Sequence, residues 1–148
     1  MLFRSDDFIE VLGTIPLEFS PGTAWNYSVA TDVLGYLVGK ISGQPFEEFL
    51  QQHILGPLGM VDTAFHADEA RAARLAQCYM LSEQGGLGVL PGRRFVEPTH
   101  APSGGGGLVS TAADYLRFCE AMRCGGALGS GANQVRLLGP KTDRKSVV

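Results

Sequence analysis

The stretch that most constrains the fold runs from Phe19 to Gly43. It opens with Ser-Pro-Gly-Thr at residues 20–23, which is typical of a turn because proline fixes φ and the following glycine tolerates positive φ. A helical period follows, and Gly43 is a typical residue just beyond a helix C-terminus. The stretch therefore predicts a buried helix over residues 28–41. Its apolar positions form one stripe: Val29, Val33, Leu34, Leu37, Val38 and Ile41.

Trp25 and Tyr27 lie on the approach to the N-terminus of this predicted helix. A helix N-terminus carries unsatisfied N–H groups and partial positive charge. A tyrosine there is well placed to meet an anion or a developing oxyanion, so Tyr27 is a candidate catalytic residue. Trp25 is compatible both with the wall of a substrate pocket and with ordinary packing in a core.

Two shorter helices are predicted on either side of this stretch. Ser5 is the expected cap of a helix from Asp6 to about Leu12. Pro45 suits the first turn of a helix over residues 45–54. The Gly-Pro-Leu-Gly sequence at residues 56–59 then predicts a tight turn.

The second half of the chain gives weaker signals. Residues 68–78 are rich in Ala and Arg and predict a helix, whereas residues 84–103 and 127–140 read as loops. Thr-x-x-Asp at residues 111–114 resembles a capping box and predicts a helix over residues 114–122. The apolar stripe of that helix would be Tyr115, Phe118, Cys119 and Met122.

Four consecutive glycines, residues 104–107, precede this last helix. A phosphate-binding loop would need a lysine after its glycines, and none is present, so nucleotide binding is disfavoured. The run instead indicates backbone that crosses beneath a site where side chains do not fit. Ser103 and Gly105 are the candidate ligand contacts in this segment.

Composition excludes several classes of function. The chain has 148 residues, 45% of them hydrophobic, which suits one globular domain. The net charge of −3 with no basic run argues against nucleic acid as a partner. No apolar run is long enough to span a membrane, and acidic residues interrupt any signal peptide near the N-terminus, so we expect a cytoplasmic location. The three cysteines, Cys78, Cys119 and Cys124, are expected to be packed, reduced thiols, and no cofactor or metal site is expected.

Four segments taken together resemble a known family. They are residues 21–28 (Pro-Gly-x-x-Trp-x-Tyr-Ser), residues 32–43 with their ending Ile-Ser-Gly, residues 54–60 (Ile-Leu-Gly-Pro-Leu-Gly-Met), and residues 104–111 (Gly-Gly-Gly-Gly-Leu-Val-Ser-Thr). The pattern is similar to the middle of the serine β-lactamase-related family, which includes class C β-lactamases, DD-peptidases and family VIII carboxylesterases. The sequence Trp-x-Tyr-Ser-Val is most similar to the esterase branch.

The resemblance implies an α+β fold of the β-lactamase/transpeptidase type and acyl transfer to a serine. The family's nucleophile lies in Ser-x-x-Lys, and a tyrosine from a second motif helps to move its proton. Tyr27 matches that tyrosine, and Trp25, Ser103 and Gly105 would contact a small ester or lactam substrate. In the β-lactamase branch an asparagine stands two residues after the tyrosine, and Val29 replaces it here, which favours the esterase branch.

The family's nucleophile motif is missing from this sequence, because no serine has a lysine three residues later. We therefore expect residues 1–142 to be an internal, mostly helical part of the domain, with long glycine-rich loops and most of the sheet missing. Residues 143–148 would be a tail of doubtful origin. Such a fragment would be inactive alone.

Two alternatives to an esterase remain open. The parent protein could be a β-lactamase or DD-peptidase, or a member of the family that binds ligands without catalysis. A Ser-x-x-Lys sequence upstream would support an enzyme, and its absence would support a binding protein.

Overall fold

The computed structural model describes residues 4–82, 85–90 and 95–145. Within them, the strands pair as two antiparallel hairpins, β1 with β2 and β3 with β4. The chain is thus mostly helical with little sheet, as predicted. The elements are α1 (Ser5–Gly13), α2 (Ala30–Ser42), α3 (Phe46–Leu50), a π-helical segment (Gln51–Leu55), α4 (Gly56–Leu58), α5 (Glu69–Ala72), β1 (Tyr79–Leu81), β2 (Leu87–Val89), α6 (Ala112–Arg123), β3 (Ala127–Leu128), a 3₁₀ turn (Gly131–Asn133), β4 (Val135–Arg136) and α7 (Pro140–Lys145).

Helix α2 has the predicted C-terminus, because Gly43 adopts the left-handed conformation with φ 72°. The expectation that this helix is buried is wrong. Leu34, Leu37 and Ile41 of its apolar stripe are exposed, and Gly35 is its one buried residue. The residues that the structure describes provide no layer that covers this face.

Helix α1 is joined to α2 by polar contacts. The Tyr36 hydroxyl donates to Asp6 Oδ1 at 2.9 Å, and Lys40 Nζ lies 2.8 Å from the same oxygen and lowers the pKa of that carboxyl. The predicted cap at Ser5 is wrong. The Arg4 amide donates to the Asp7 carboxylate at 2.9 Å, so the helix begins one residue earlier and Ser5 is its first residue.

The core lies where α4 meets α6. Leu58 is completely buried and packs with Leu55, Met60 and Ala121. The predicted tight turn at residues 56–59 is wrong, because the helical path continues from α3 through the π-helical segment and α4 before it turns at Gly59, where φ is 67°. Pro57 stands in the first turn of α4.

Several segments with weak sequence signals differ in structure from the prediction. The helix predicted over residues 68–78 shrinks to α5, which Asp68 caps by accepting from the Arg71 amide at 2.9 Å. The predicted loops contain hairpin strands, β2 in one and β3–β4 in the other. These strands are two or three residues long, too short for a period-2 pattern to identify. The cysteines, expected to be packed, are exposed: Cys78, Cys119 and Cys124.

Helix α6 begins with the predicted cap and buries part of the predicted face. The Thr111 hydroxyl accepts from the Asp114 amide at 3.2 Å. Tyr115 and Cys119 are exposed, whereas Asp114 and Ala121 are buried. The predicted stripe is confirmed for Phe118 and Met122, which pack partly buried against the core, and is wrong for Tyr115 and Cys119. Asp114 takes an inward position because its carboxylate accepts hydrogen bonds from donors in the segment before α5.

Removing this cap should lower stability measurably. We expect Thr111→Ala to reduce the free energy of unfolding by about 1 kcal/mol, because the Asp114 amide loses its acceptor. Thr111→Ser retains the hydroxyl and should restore most of the loss. Urea unfolding followed by circular dichroism measures both, and an unchanged midpoint for Thr111→Ala would contradict the capping role.

The C-terminal part follows the hairpin β3–β4. Helix α7 continues to Lys145, and the rest of the predicted tail, residues 146–148, lies outside the described residues. The boundary at residue 142 stays a prediction.

None of the described helices combines the length and apolar character needed to cross a bilayer.

Candidate active site

One cleft of about 340 Å³ lies beside the N-terminus of α2. It brings together three of the four candidate site residues, Tyr27, Ser103 and Gly105. Tyr27 lies more than seventy positions before the other two in the sequence, so the fold makes it their neighbour. The complete lining is Tyr27, Ser28, Thr31, Asp32, Phe65, Phe95, Thr99, Ala101, Ser103, Gly105, Gly106 and Gly107.

The glycine run forms one wall of this cleft because its backbone packs directly on α2. A Cβ at Gly104 would fall inside the van der Waals distance of the Thr31 carbonyl oxygen and 2.9 Å from the Gly35 amide nitrogen. Helix and loop can approach this closely because Gly35 also lacks a side chain. The expectation of a backbone crossing where side chains do not fit therefore holds at Gly104, whereas a Cβ at Gly106 would have no neighbour within 4 Å.

Ser103 is held in place by a short network at the start of this loop. Its hydroxyl donates to Asp32 Oδ1 and accepts from the Gly105 amide at 2.9 Å. A Cβ at Gly105 would lie 2.9 Å from Thr31 Oγ1 and 3.1 Å from Asp32 Oδ2. The network thus fixes the loop against the first turn of α2.

Sequence reasoning missed Asp32. Its position in the first turn of a helix suggests only a favourable interaction with the helix dipole. Its partner Ser103 lies 71 residues further along the chain, so no local pattern links the two. The available signal was a carboxylate close after the Tyr27 motif.

Tyr27 and Trp25 differ in their relation to the cleft. Tyr27 is 86% exposed, and its side chain contributes to the lining. Trp25 is 84% exposed and is not among the residues that line the cleft. Val29, two residues after Tyr27, is the N-terminal cap position of α2 and does not line the cleft either.

Two aromatic residues that line the cleft also contact residues outside it. Phe65 is 5% exposed and packs on Phe46 with ring centroids 5.9 Å apart. Phe95 accepts a hydrogen bond at its carbonyl from the Ala67 amide at 2.6 Å. The cleft therefore combines aromatic side chains with hydroxyl groups and glycine backbone, which suits an uncharged polar ligand.

Comparison with known proteins places the chain in a family. A sequence model of the family described as Beta-lactamase matches residues 2–147. Protein Rv1367c of Mycobacterium tuberculosis is 39% identical over 141 residues, covering 94% of this chain and 34% of the relative. Esterase EstB of Burkholderia gladioli is 34% identical over 137 residues, covering 82% of this chain and 35% of the esterase.

A solved structure agrees with these matches. EstCE1, described as a hydrolase with promiscuous acyltransferase activity, superposes with a TM-score of 0.73 at 25% identity, covering 95% of this chain and 39% of that structure. The predicted β-lactamase/transpeptidase-like fold is confirmed. This chain spans about a third of the length of the relatives that it matches. With the family model matching nearly every residue, the chain belongs to the β-lactamase family.

Proposed function

We propose that these residues form part of a serine hydrolase that cleaves carboxylic esters through an acyl-serine intermediate. The observation that carries the proposal is the cleft beside the start of α2, which Tyr27, Ser103 and Gly105 line together. Family membership supports the same reaction class, and EstB, a relative at 34% identity, is an esterase by name.

In the proposed reaction a serine oxygen attacks the ester carbonyl and forms a tetrahedral intermediate. Tyr27 takes the serine proton during attack and returns it to the departing alcohol. Water then adds to the acyl-serine, and the same proton route releases the carboxylic acid and regenerates the serine. An exposed tyrosine at the mouth of the cleft is accessible to both groups in this sequence of steps.

We propose that the nucleophile lies outside these 148 residues. None of the serines has the lysine that the family uses for activation, and no Lys, Arg or His is among the described residues that line the cleft. Ser103 is already engaged, since its hydroxyl donates to Asp32 and accepts from the Gly105 amide. The chain alone would therefore bind substrate without acylation.

An ester is favoured over a lactam as substrate. Val29 occupies the place where the resemblance to β-lactamases calls for an asparagine, and its side chain cannot donate to a substrate amide. Trp25, Ser103 and Gly105 remain the proposed substrate contacts. Trp25 would have to contact the part of a substrate that extends beyond the cleft.

Labelling by a fluorophosphonate tests this proposal, because the reagent bonds to an activated serine and releases fluoride. We expect no adduct on the purified 148-residue chain and no hydrolysis of p-nitrophenyl butyrate or nitrocefin. The same chain continued by its flanking coding sequence should acquire one adduct on a serine outside these residues and should hydrolyse the ester in preference to nitrocefin.

Two results would contradict the proposal. Turnover by the 148-residue chain that disappears in Tyr27→Phe would place a nucleophile within these residues. An extended protein that binds p-nitrophenyl esters but neither reacts with the fluorophosphonate nor turns over would indicate a binding protein instead. Circular dichroism of each sample verifies that it is folded.

A further inference from the structure

The charge that the described residues bring to the cleft is negative. Among the described residues that line it, Asp32 is the one charged side chain, and the other members are aromatic, hydroxyl-bearing or small. Asp32 is half-buried, and its carboxylate lies against the backbone of Gly105. A ligand in this cleft therefore meets a negative charge on one wall and no lining cation in the described part of the chain.

Asp32 also occupies the position where the helix itself would attract anions. Val29 is the N-terminal cap position of α2, which makes Asp32 the third helical residue. The partial positive charge of a helix N-terminus extends over this first turn, and a carboxylate placed there offsets it. The helix end beside the cleft is thus already neutralised by the protein.

We propose that Asp32 is a specificity-determining residue that selects uncharged or cationic ligands and disfavours ligands that carry a carboxylate. The inference rests on the proposed ester hydrolysis and deepens it. Simple esters are neutral, whereas penicillins, cephalosporins and peptide C-termini are carboxylates at neutral pH. Asp32 would therefore separate the ester substrates from the lactam and peptide substrates of related enzymes.

The size of the effect follows from Coulomb's law. Two like charges about 6 Å apart in a partly solvated cleft change a dissociation constant by about tenfold. Added salt screens such an interaction and should reduce this factor. The hydrogen bond from Ser103 holds the carboxylate beside the cleft, so the charge has a fixed position.

Three probes of matched shape test the charge preference without any turnover: phenylacetamide, phenylacetate and 2-phenylethylammonium. Titration into the 148-residue chain is followed by amide chemical shifts of Thr31, Gly105 and Gly107. We expect phenylacetate to bind about tenfold more weakly than phenylacetamide, and 2-phenylethylammonium to bind at least as tightly. High salt should reduce the differences between the dissociation constants of the three probes.

Two variants separate the effect of the Asp32 charge from that of net charge. Asp32→Asn should remove the penalty on phenylacetate. Glu10→Gln changes the net charge equally on the exposed face of α1 and should leave the preference intact.

The proposal is overturned if phenylacetate binds wild type as tightly as phenylacetamide, if Asp32→Asn retains the penalty, or if no probe shifts the cleft amides. These outcomes concern ligand charge alone. Failure of the proposed ester hydrolysis would appear separately, in the fluorophosphonate labelling. Suppose that the cleft prefers neutral ligands but the extended protein has no activated serine. That result would support the role of Asp32 in ligand selection and contradict the proposed ester hydrolysis.

Discussion

Gly104→Ala should reduce the free energy of unfolding by about 4 kcal/mol, a large part of the stability of an ordinary domain. The added methyl group would overlap the Thr31 carbonyl oxygen and lie 2.9 Å from the Gly35 amide nitrogen. Both atoms belong to the backbone of α2, so no side-chain rotation relieves the overlap. The helix and the glycine run must separate, and the wall of the cleft is lost with their contact.

Gly106→Ala is the matched control for this substitution. It lies two residues further along the same loop, and a Cβ there has no neighbour within 4 Å. Neither Gly104 nor Gly106 has positive φ, so the two substitutions differ in packing and not in backbone strain. We expect a change within about 0.5 kcal/mol for Gly106→Ala in urea unfolding. Equal midpoints for the two variants would show that the loop does not pack on α2.

Asp114→Ala should reduce the free energy of unfolding by about 3 kcal/mol. Asp114 is 4% exposed, and its Oδ2 accepts from the Asp62 amide at 2.7 Å and from the Thr63 hydroxyl at 2.9 Å. Alanine leaves both donors without this acceptor, and the Thr63 donor is 5% exposed. Thr63 retains a contact with the Ser110 hydroxyl at 2.7 Å, which limits the loss.

Asp114→Asn tests the role of the charge separately from that of the acceptor. One oxygen receives both hydrogen bonds, and an asparagine carbonyl can occupy that position, so we expect a loss of about 1 kcal/mol. Leu116→Ala on the exposed face of α6 serves as the control and should change stability little. If Asp114→Ala matches Leu116→Ala in its unfolding midpoint, the buried network does not stabilise the fold.

Sequence reasoning succeeded where the signal is local. The end of α2 at Gly43 and the cap of α6 at Thr111 are both set by residues within one helical turn, and the structure has them as predicted. The family fold was also accessible, because several short motifs in a fixed order are more specific than any one of them.

Predictions from the sequence failed where contacts between distant parts of the chain determine which residues are buried or lie in the site. The burial of Asp114 on α6 depends on hydrogen-bond partners before α5, and no local sequence pattern links them to it. Asp32 was not a candidate because its partner Ser103 lies 71 residues further along the chain. The exposed stripe of α2 shows the same limit, since periodicity identifies an apolar face but not what covers it.

The bridge between Ala64 and Val109 has a consequence for protein engineering. The two residues exchange both backbone hydrogen bonds, from the Ala64 amide at 3.1 Å and from the Val109 amide at 2.8 Å. The exposed hairpin β1–β2 lies between them in the sequence. Lengthening a closed loop costs little entropy, and exposed hairpins accept new residues most readily. A reporter domain inserted after Gly86 should therefore be accommodated with the Asp114 network and the cleft wall undisturbed.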